Sequence, residues 1–122
     1  MKILIVDDSK TMRIIIKGAL SKEGYDEILE AENGKKAVSA VMDNADIEVI
    51  LMDWNMPEMS GLDAVKAIRA GGHTSPILMV TTEAEKHRIM EAIQAGVNDY
   101  LVKPFTPDAL IEKVKKHAAV SV

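Results

Sequence analysis

The feature that most constrains this chain is an alternation. Short runs of aliphatic residues recur, and each is followed by a stretch with helical periodicity. Residues 3–6, 49–52 and 77–80 are apolar throughout and rich in branched side chains. Unbroken runs of this length are the pattern of strands buried on both faces, as in a parallel sheet. Glu27–Ala31 and Asp99–Val102 carry more charge and read as weaker strands at the edges.

Five helical patterns follow the five runs. The first is capped by Ser9 and passes through "KTMRIIIKGALSKEG" to a stop at Gly24. The second follows Asn33-Gly34 and carries Ala37, Val38, Val41 and Met42 at helical spacing. The third follows Ser60, carries Leu62, Val65, Ile68 and Arg69, and ends at Gly71-Gly72. The fourth spans residues 83–95 and stops at Gly96; Met90, Ile93 and Val97 are its expected inward stripe. The fifth opens with Thr106 as cap, Pro107 in the first turn and Asp108 complementing the dipole. Leu110, Val114 and His117 or Ala118 continue its inner side.

Strict βα alternation implies parallel strands joined by right-handed crossovers, with helices on both faces. Five units are too few for an eightfold barrel, so the fold class is α/β, an open, doubly wound five-stranded parallel sheet. The 122 residues suit one domain, residues 1–122. Hydrophobic residues make up 48% and charged residues 28%, a globular balance, and eight Met supplement the aliphatics where aromatics are scarce. A net charge of −4 disfavours nucleic acid and membrane surfaces as partners. With no cysteine, disulfides and thiolate chemistry are excluded, which fits a cytoplasmic protein. The start "MKILIVDDSK" is too short an apolar run for a signal peptide, and no span reaches transmembrane length.

In open parallel sheets ligands sit at the carboxyl ends of the strands. Here those ends carry Asp7-Asp8, Asp53, Thr81-Thr82-Glu83 and Lys103-Pro104. Carboxylates gathered on one rim resist ionising together unless a cation joins them. Oxygen donors without His or Cys favour Mg²⁺ or Mn²⁺. Lys103 can hold an oxygen of a phosphoryl group, and Thr81 can donate a hydroxyl hydrogen bond. A carboxylate, a divalent metal, a lysine and a hydroxyl are the parts needed to form an acyl phosphate on Asp. Each residue alone also has a plainer reading. Asp8 fits a helix cap, Asp53 and Thr81 fit turn residues, and Lys103 fits a solvated lysine on an edge.

The stretches "ILIVDDS", "ILMDWNMPEMSG", "ILMVTTE" and "YLVKPF", in this order and spacing, resemble the receiver domain of two-component response regulators over essentially the whole chain. "DWNMP", "SKTMR", "LMVT", "QAG" and "VKPFT" are most similar to the single-domain chemotaxis regulators. The resemblance implies strand order 2-1-3-4-5, which is carried over and not read from the residues. It implies that Asp53 accepts a phosphoryl group from a histidine kinase. It also implies that Mg²⁺ is held by Asp7, Asp8, Asp53 and the backbone carbonyl of Asn55, with Asp8 direct and Asp7 through water. Lys103 and Thr81 would contact the phosphoryl group, Tyr100 would be the switch aromatic, and the Lys103–Pro104 peptide would be cis. Asn55 and Glu83 would control the water that removes the phosphoryl group. One departure is Thr82, where the family usually has a small residue; its bulk bears on access to the site and on Tyr100.

The implied output face combines the fourth helix, fifth strand and fifth helix, with Lys86, Ile89, Tyr100, Val102 and Lys113 as its expected surface. Ile89 could equally lie in the core. Lys86, Lys113 and Lys116 give this face a basic cast that suits an acidic amphipathic peptide. No DNA-binding or enzymatic domain follows Val122, so output is expected through a partner protein. By resemblance the partners are a chemotaxis histidine kinase, the flagellar motor switch and a phosphatase, and the protein is a monomer and not an enzyme. The alternatives are a phosphorelay intermediate outside chemotaxis and, more remotely, a Mg²⁺-dependent phosphohydrolase. The second normally carries its nucleophile on the first strand and encloses substrate with a cap. A flavin-binding fold is a further rival, but "DDSKT" puts carboxylates where a phosphate would sit.

Overall fold

The computed structural model describes residues 1–54, 56, 58–82 and 86–118, the side chain of Lys86 excepted. The order is β1 (Lys2–Val6), α1 (Lys10–Lys22), β2 (Glu27–Ala31), α2 (Gly34–Asp43), β3 (Ile47–Asp53), α3 (Gly61–Ala70), β4 (Ile77–Thr81), α4 (Lys86–Ala95), β5 (Asp99–Val102) and α5 (Pro107–Ala118). The strands pair in parallel in the order β2-β1-β3-β4-β5, as the resemblance implies.

β3 starts two residues before the apolar run. Exposed Glu48 interrupts the sequence pattern there, but Ile47 is buried and pairs with Lys2 across a register shift. The starts of α1, α2, α3 and α5 are those the caps mark, whereas residues 83–85, where the fourth helix is expected to begin, lie outside the described residues. Ser9 Oγ accepts from the Met12 N–H, Asn33 Oδ1 from Lys36, Ser60 Oγ from Asp63 and Thr106 Oγ1 from Ala109. Each satisfies an N–H that the helix leaves without a partner. Gly24 and Gly96 stop α1 and α4 at φ of 91° and 114°, the left-handed region where a side chain is strained.

Alternation along the strands divides the core in two. Leu4, Val6, Ile50, Met52, Ile77 and Met79 face α2, α3 and α4, joined by Ala37, Val41, Val65, Ile68 and Ala92. Ile3, Ile5, Val49, Leu51, Leu78, Val80 and Leu101 face α1 and α5, joined by Ile16, Leu20, Leu110 and Val114. Both faces of the three central strands are therefore dry, which is why their sequences show no polar alternation.

The expected stripe on α4 is out of phase. Met90 and Ile93 are exposed at 51% and 54%, whereas Ala92 and Val97 are buried. Ile89 is half-buried, between the two readings left open for it. The inward line is Ile89–Ala92, at a spacing of three, and small Ala92 packs in the cluster that holds Met79 and Trp54. Met42 on α2 is likewise exposed, at 57%. Arg69, at the end of α3, clamps the layer. Its guanidinium donates to the carbonyls of Gly96 (3.0 Å) and His73 (2.8 Å) and to Asn98 Oδ1 (2.9 Å).

Candidate functional site

Strand parity decides which side chains meet at the carboxyl rim. Asp53 continues the face of Val49 and Leu51, Asp7 that of Ile3 and Ile5, and Lys103 that of Leu101, all on the α1/α5 side. Thr81 continues the face of Ile77 and Met79, toward α4. Register adds the rest: Thr81 pairs with Val102 and Met79 with Tyr100, so Thr81 and Tyr100 look toward the same helix.

Asp7 and Asp53 are buried, at 2% and 8% exposure, and Asp8 is exposed. One oxygen from each of the three carboxylates lies within 4.8 Å of the others. Lys103 Nζ bridges two of them, 3.1 Å from Asp7 Oδ2 and 3.3 Å from Asp53 Oδ1. The plain reading of Lys103 as a solvated edge lysine does not hold: its side chain is 17% exposed and committed to both acids. The plain reading of Asp8 as a cap also fails, because Ser9 is the cap of α1. Asp7 Oδ1 accepts the Ser9 N–H at 2.9 Å, so both Asp7 oxygens are engaged.

Backbone contacts hold the rim in shape. The Lys103 N–H donates to the Thr81 carbonyl at 2.8 Å, and the Lys103–Pro104 peptide is cis. The Gly61 N–H donates to the Trp54 carbonyl at 2.7 Å. A Cβ at Gly61 would collide with the Asp53 carbonyl oxygen, so only glycine lets α3 start this close to the end of β3.

The electrostatics are those of a charge deficit. Burial pushes the Asp53 carboxyl up, the neighbouring Asp7 charge adds to this, and Lys103 only partly opposes both; the result is about 6. Burial alone would lower Lys103, but the hydrogen bond it donates to Asp7 and the charges of Asp53 and Asp7 outweigh it and hold its ammonium above the ordinary value. Three carboxylates with one ammonium between them favour a further cation, and an all-oxygen donor set with an exposed, open side suits Mg²⁺. Asn55, Glu83 and the side chain of Lys86 lie outside the described residues.

On the α4 side, Thr81, Trp54, Ile89, Ala92, Ile93, Val97 and Tyr100 line a mostly apolar cleft. Thr81 is buried at its floor, and Tyr100 is 38% exposed at its lip. Trp54 is 4% exposed, with the Arg88 guanidinium 5.5 Å from its ring centre. Lys113 Nζ lies 5.8 Å from the Tyr100 ring centre and 2.9 Å from Asp99 Oδ1. Val102 and Lys113 are half-buried, and Thr82 is exposed at the rim. Sequence reasoning did not single out Arg13, Arg88 or Asp99. Their partners are remote in sequence, and no spacing signal marks them.

Residues 3–115 match the response regulator receiver domain. The chain is 54% identical to the chemotaxis protein CheY1 of Helicobacter pylori strain J99 over 117 residues, 94% of each chain. It is 52% identical to the CheY homolog of Campylobacter jejuni strain 81-176, over 94% of this chain and 90% of that one. Among solved structures, Vibrio cholerae CheY4 superposes with a TM-score of 0.88 at 36% identity, covering 95% of this chain and 97% of that one. The receiver domain of the Francisella response regulator 1452 superposes with a TM-score of 0.91 at 29% identity, covering 99% and 98%.

Proposed function

The chain belongs to the response regulator receiver family, as a CheY-like chemotaxis regulator, and from that premise we propose that it signals by accepting a phosphoryl group on Asp53 with Mg²⁺. The observation that carries the reading is the Lys103 bridge between Asp7 and Asp53 beside a third carboxylate, Asp8. A purely structural ion pair would match charges. This rim has surplus negative charge and an acid held near pH 6.

Asp53 is the nucleophile. One of its oxygens forms the new P–O bond as the P–N bond to the donor histidine breaks, and the departing imidazole keeps the electron pair. Lys103 already touches the Asp53 carboxylate and shifts its ammonium to an oxygen of the arriving group. Both Asp7 oxygens are engaged, which supports Asp8 and Asp53 as the residues that would hold the metal directly, with Asp7 contributing through water. By family resemblance the backbone carbonyl of Asn55 would complete the set. Mg²⁺ when bound offsets the charge of the carboxylates and of the donor phosphoryl group. The Thr81 hydroxyl then hydrogen-bonds the phosphoryl group, and Tyr100 moves from the lip of the cleft inward. Asn55 and Glu83 govern the water that hydrolyses the acyl phosphate.

The readout is the face built by α4, β5 and α5. Met90, Ile93 and Tyr100 expose apolar area there, beside half-buried Ile89, Val102 and Lys113, and Lys86 belongs to the same helix, α4. Apolar anchors beside Lys113 and the exposed Lys116 suit an amphipathic acidic segment of a flagellar motor switch protein. A chemotaxis histidine kinase supplies the phosphoryl group, and a phosphatase can shorten its life. No described helix is long and apolar enough to cross a membrane, and we place this monomeric signalling protein in the cytoplasm.

The test is labelling by acetyl phosphate, followed by intact-protein mass spectrometry. Wild type gains one phosphoryl group when Mg²⁺ is present, and Asp53→Asn gains none. Stoichiometric labelling of Asp53→Asn would refute the assignment.

A further inference from the structure

A charged group out of water needs partners. The Arg13 side chain on α1 is only 14% exposed, and its partners lie at the rim. One terminal nitrogen donates to the Asp7 carbonyl at 2.7 Å, and Nε donates to Glu30 Oε1 at 3.1 Å. The Asp7 carbonyl belongs to the peptide that joins Asp7 to Asp8. Its plane sets the bearing of one acid relative to the other.

The rest of that turn is held from other directions. The Asp7 N–H donates to the Ala31 carbonyl at 3.1 Å, the Ser9 N–H to Asp7 Oδ1 at 2.9 Å, and the Arg13 N–H to the Ser9 carbonyl at 3.1 Å. Only the guanidinium grips the carbonyl between the two acids among the described residues. Glu30, on the edge strand β2, anchors it, and the second Glu30 oxygen is 3.6 Å from Lys17 Nζ. A charge-assisted fork of this kind fixes an angle as well as a distance.

We propose that Arg13 is a positioning residue for the metal site. It locks the Asp7–Asp8 peptide so that the exposed Asp8 carboxylate is presented beside Asp53. The inference rests on the reading of this rim as a Mg²⁺ site. Outer partners that orient ligands typically change metal affinity about tenfold or more when removed. Charge alone predicts the opposite sign. Arg13 is a cation near a cation site, so deleting its charge should tighten Mg²⁺ binding if orientation does not matter.

The experiment is calorimetric titration of the full chain with MgCl₂ alone, for wild type, Arg13→Met and Arg13→Lys. Melting in EDTA is recorded for each. Arg13→Met is expected to weaken Mg²⁺ binding about tenfold. Lysine keeps the charge but not the fork, so Arg13→Lys is expected to stay at least roughly threefold weaker than wild type. Labelling by acetyl phosphate should need correspondingly more Mg²⁺ and reach the wild-type rate at saturation. Unchanged or tighter binding by a folded Arg13→Met overturns the proposal while leaving the metal site intact. A lowered melting temperature with unchanged affinity does the same, by showing a structural role only. If Arg13→Met does not fold, wild-type affinity in Arg13→Lys overturns it. No Mg²⁺ binding by wild type would instead remove the metal site itself, and this inference with it.

Discussion

Two clusters of acids and bases lie at opposite ends of the sheet, and they have inverse stoichiometry. At the carboxyl rim, Asp7, Asp8 and Asp53 share one lysine, Lys103. At the start of β5, a single carboxylate, Asp99, is served by Lys113 at 2.9 Å, His117 Nε2 at 2.9 Å and Lys116 at 3.9 Å. Burial pushes Asp99 up, but hydrogen bonds from His117, Lys113 and the Tyr100 N–H outweigh it and hold the carboxyl below its ordinary value. Asp53 is displaced the other way, to about 6. Burial alone therefore does not mark a functional acid. The balance of partner charges separates a cluster that could hold a cation from a tie between β5 and α5.

The difference predicts opposite pH behaviour. A carboxyl raised in the folded state binds more protons there than in the unfolded chain, so stability falls as pH rises across that gap. For Asp53 the window runs from its ordinary value near 3.8 to about 6. At about 1.4 kcal/mol per pKa unit the cost is about 3 kcal/mol, present in full above pH 6. Denaturant melts of wild type and Asp53→Asn in EDTA check this, as does Mg²⁺. The two proteins should diverge between pH 4 and 6, with the variant more stable above, and saturating Mg²⁺ should close the gap. Parallel profiles would erase the distinction between the clusters.

Smaller effects sharpen it. Lys103→Met should destabilise the metal-free protein by about 2 kcal/mol, since buried Asp7 loses its ion pair. It should also slow labelling steeply, as the loss of a donor to the phosphoryl group requires. Asp99→Asn should cost roughly 1–2 kcal/mol near neutral pH and leave acetyl phosphate labelling intact. Because Asp99 is depressed, its contribution should be present above pH 4 and fade as pH falls through its folded value, the reverse of Asp53. Lys116→Ala should change stability by no more than a few tenths of a kcal/mol, because that lysine is 67% exposed and sits at the outer limit of an ion pair. An effect as large as that of Asp99→Asn would mean the cluster acts as one network.

Much of this was legible beforehand, for local reasons. The caps Ser9, Asn33, Ser60 and Thr106 act on N–H groups three residues away, so a short string carries them. The central strands announced themselves because both their faces are dry. The phase of α4 did not, since residues 89–97 offer two apolar lines one residue apart. The choice fell to Ala92, whose small side chain lets the helix lie close. Arg13 was equally opaque, because its partner is a backbone carbonyl and no residue type records that.

The sequence by itself determined the alternation, the parallel sheet and the set of polar residues delivered to one rim, because hydrophobic period and chain direction are local properties. Only the tertiary structure decided how those residues share charge. Lys103 lies 96 and 50 residues from the acids it bridges, and Asp99 meets its bases 14 and 18 residues on. Coulomb energies depend on distance and on exclusion of water, and neither exists until the strands and helices have packed.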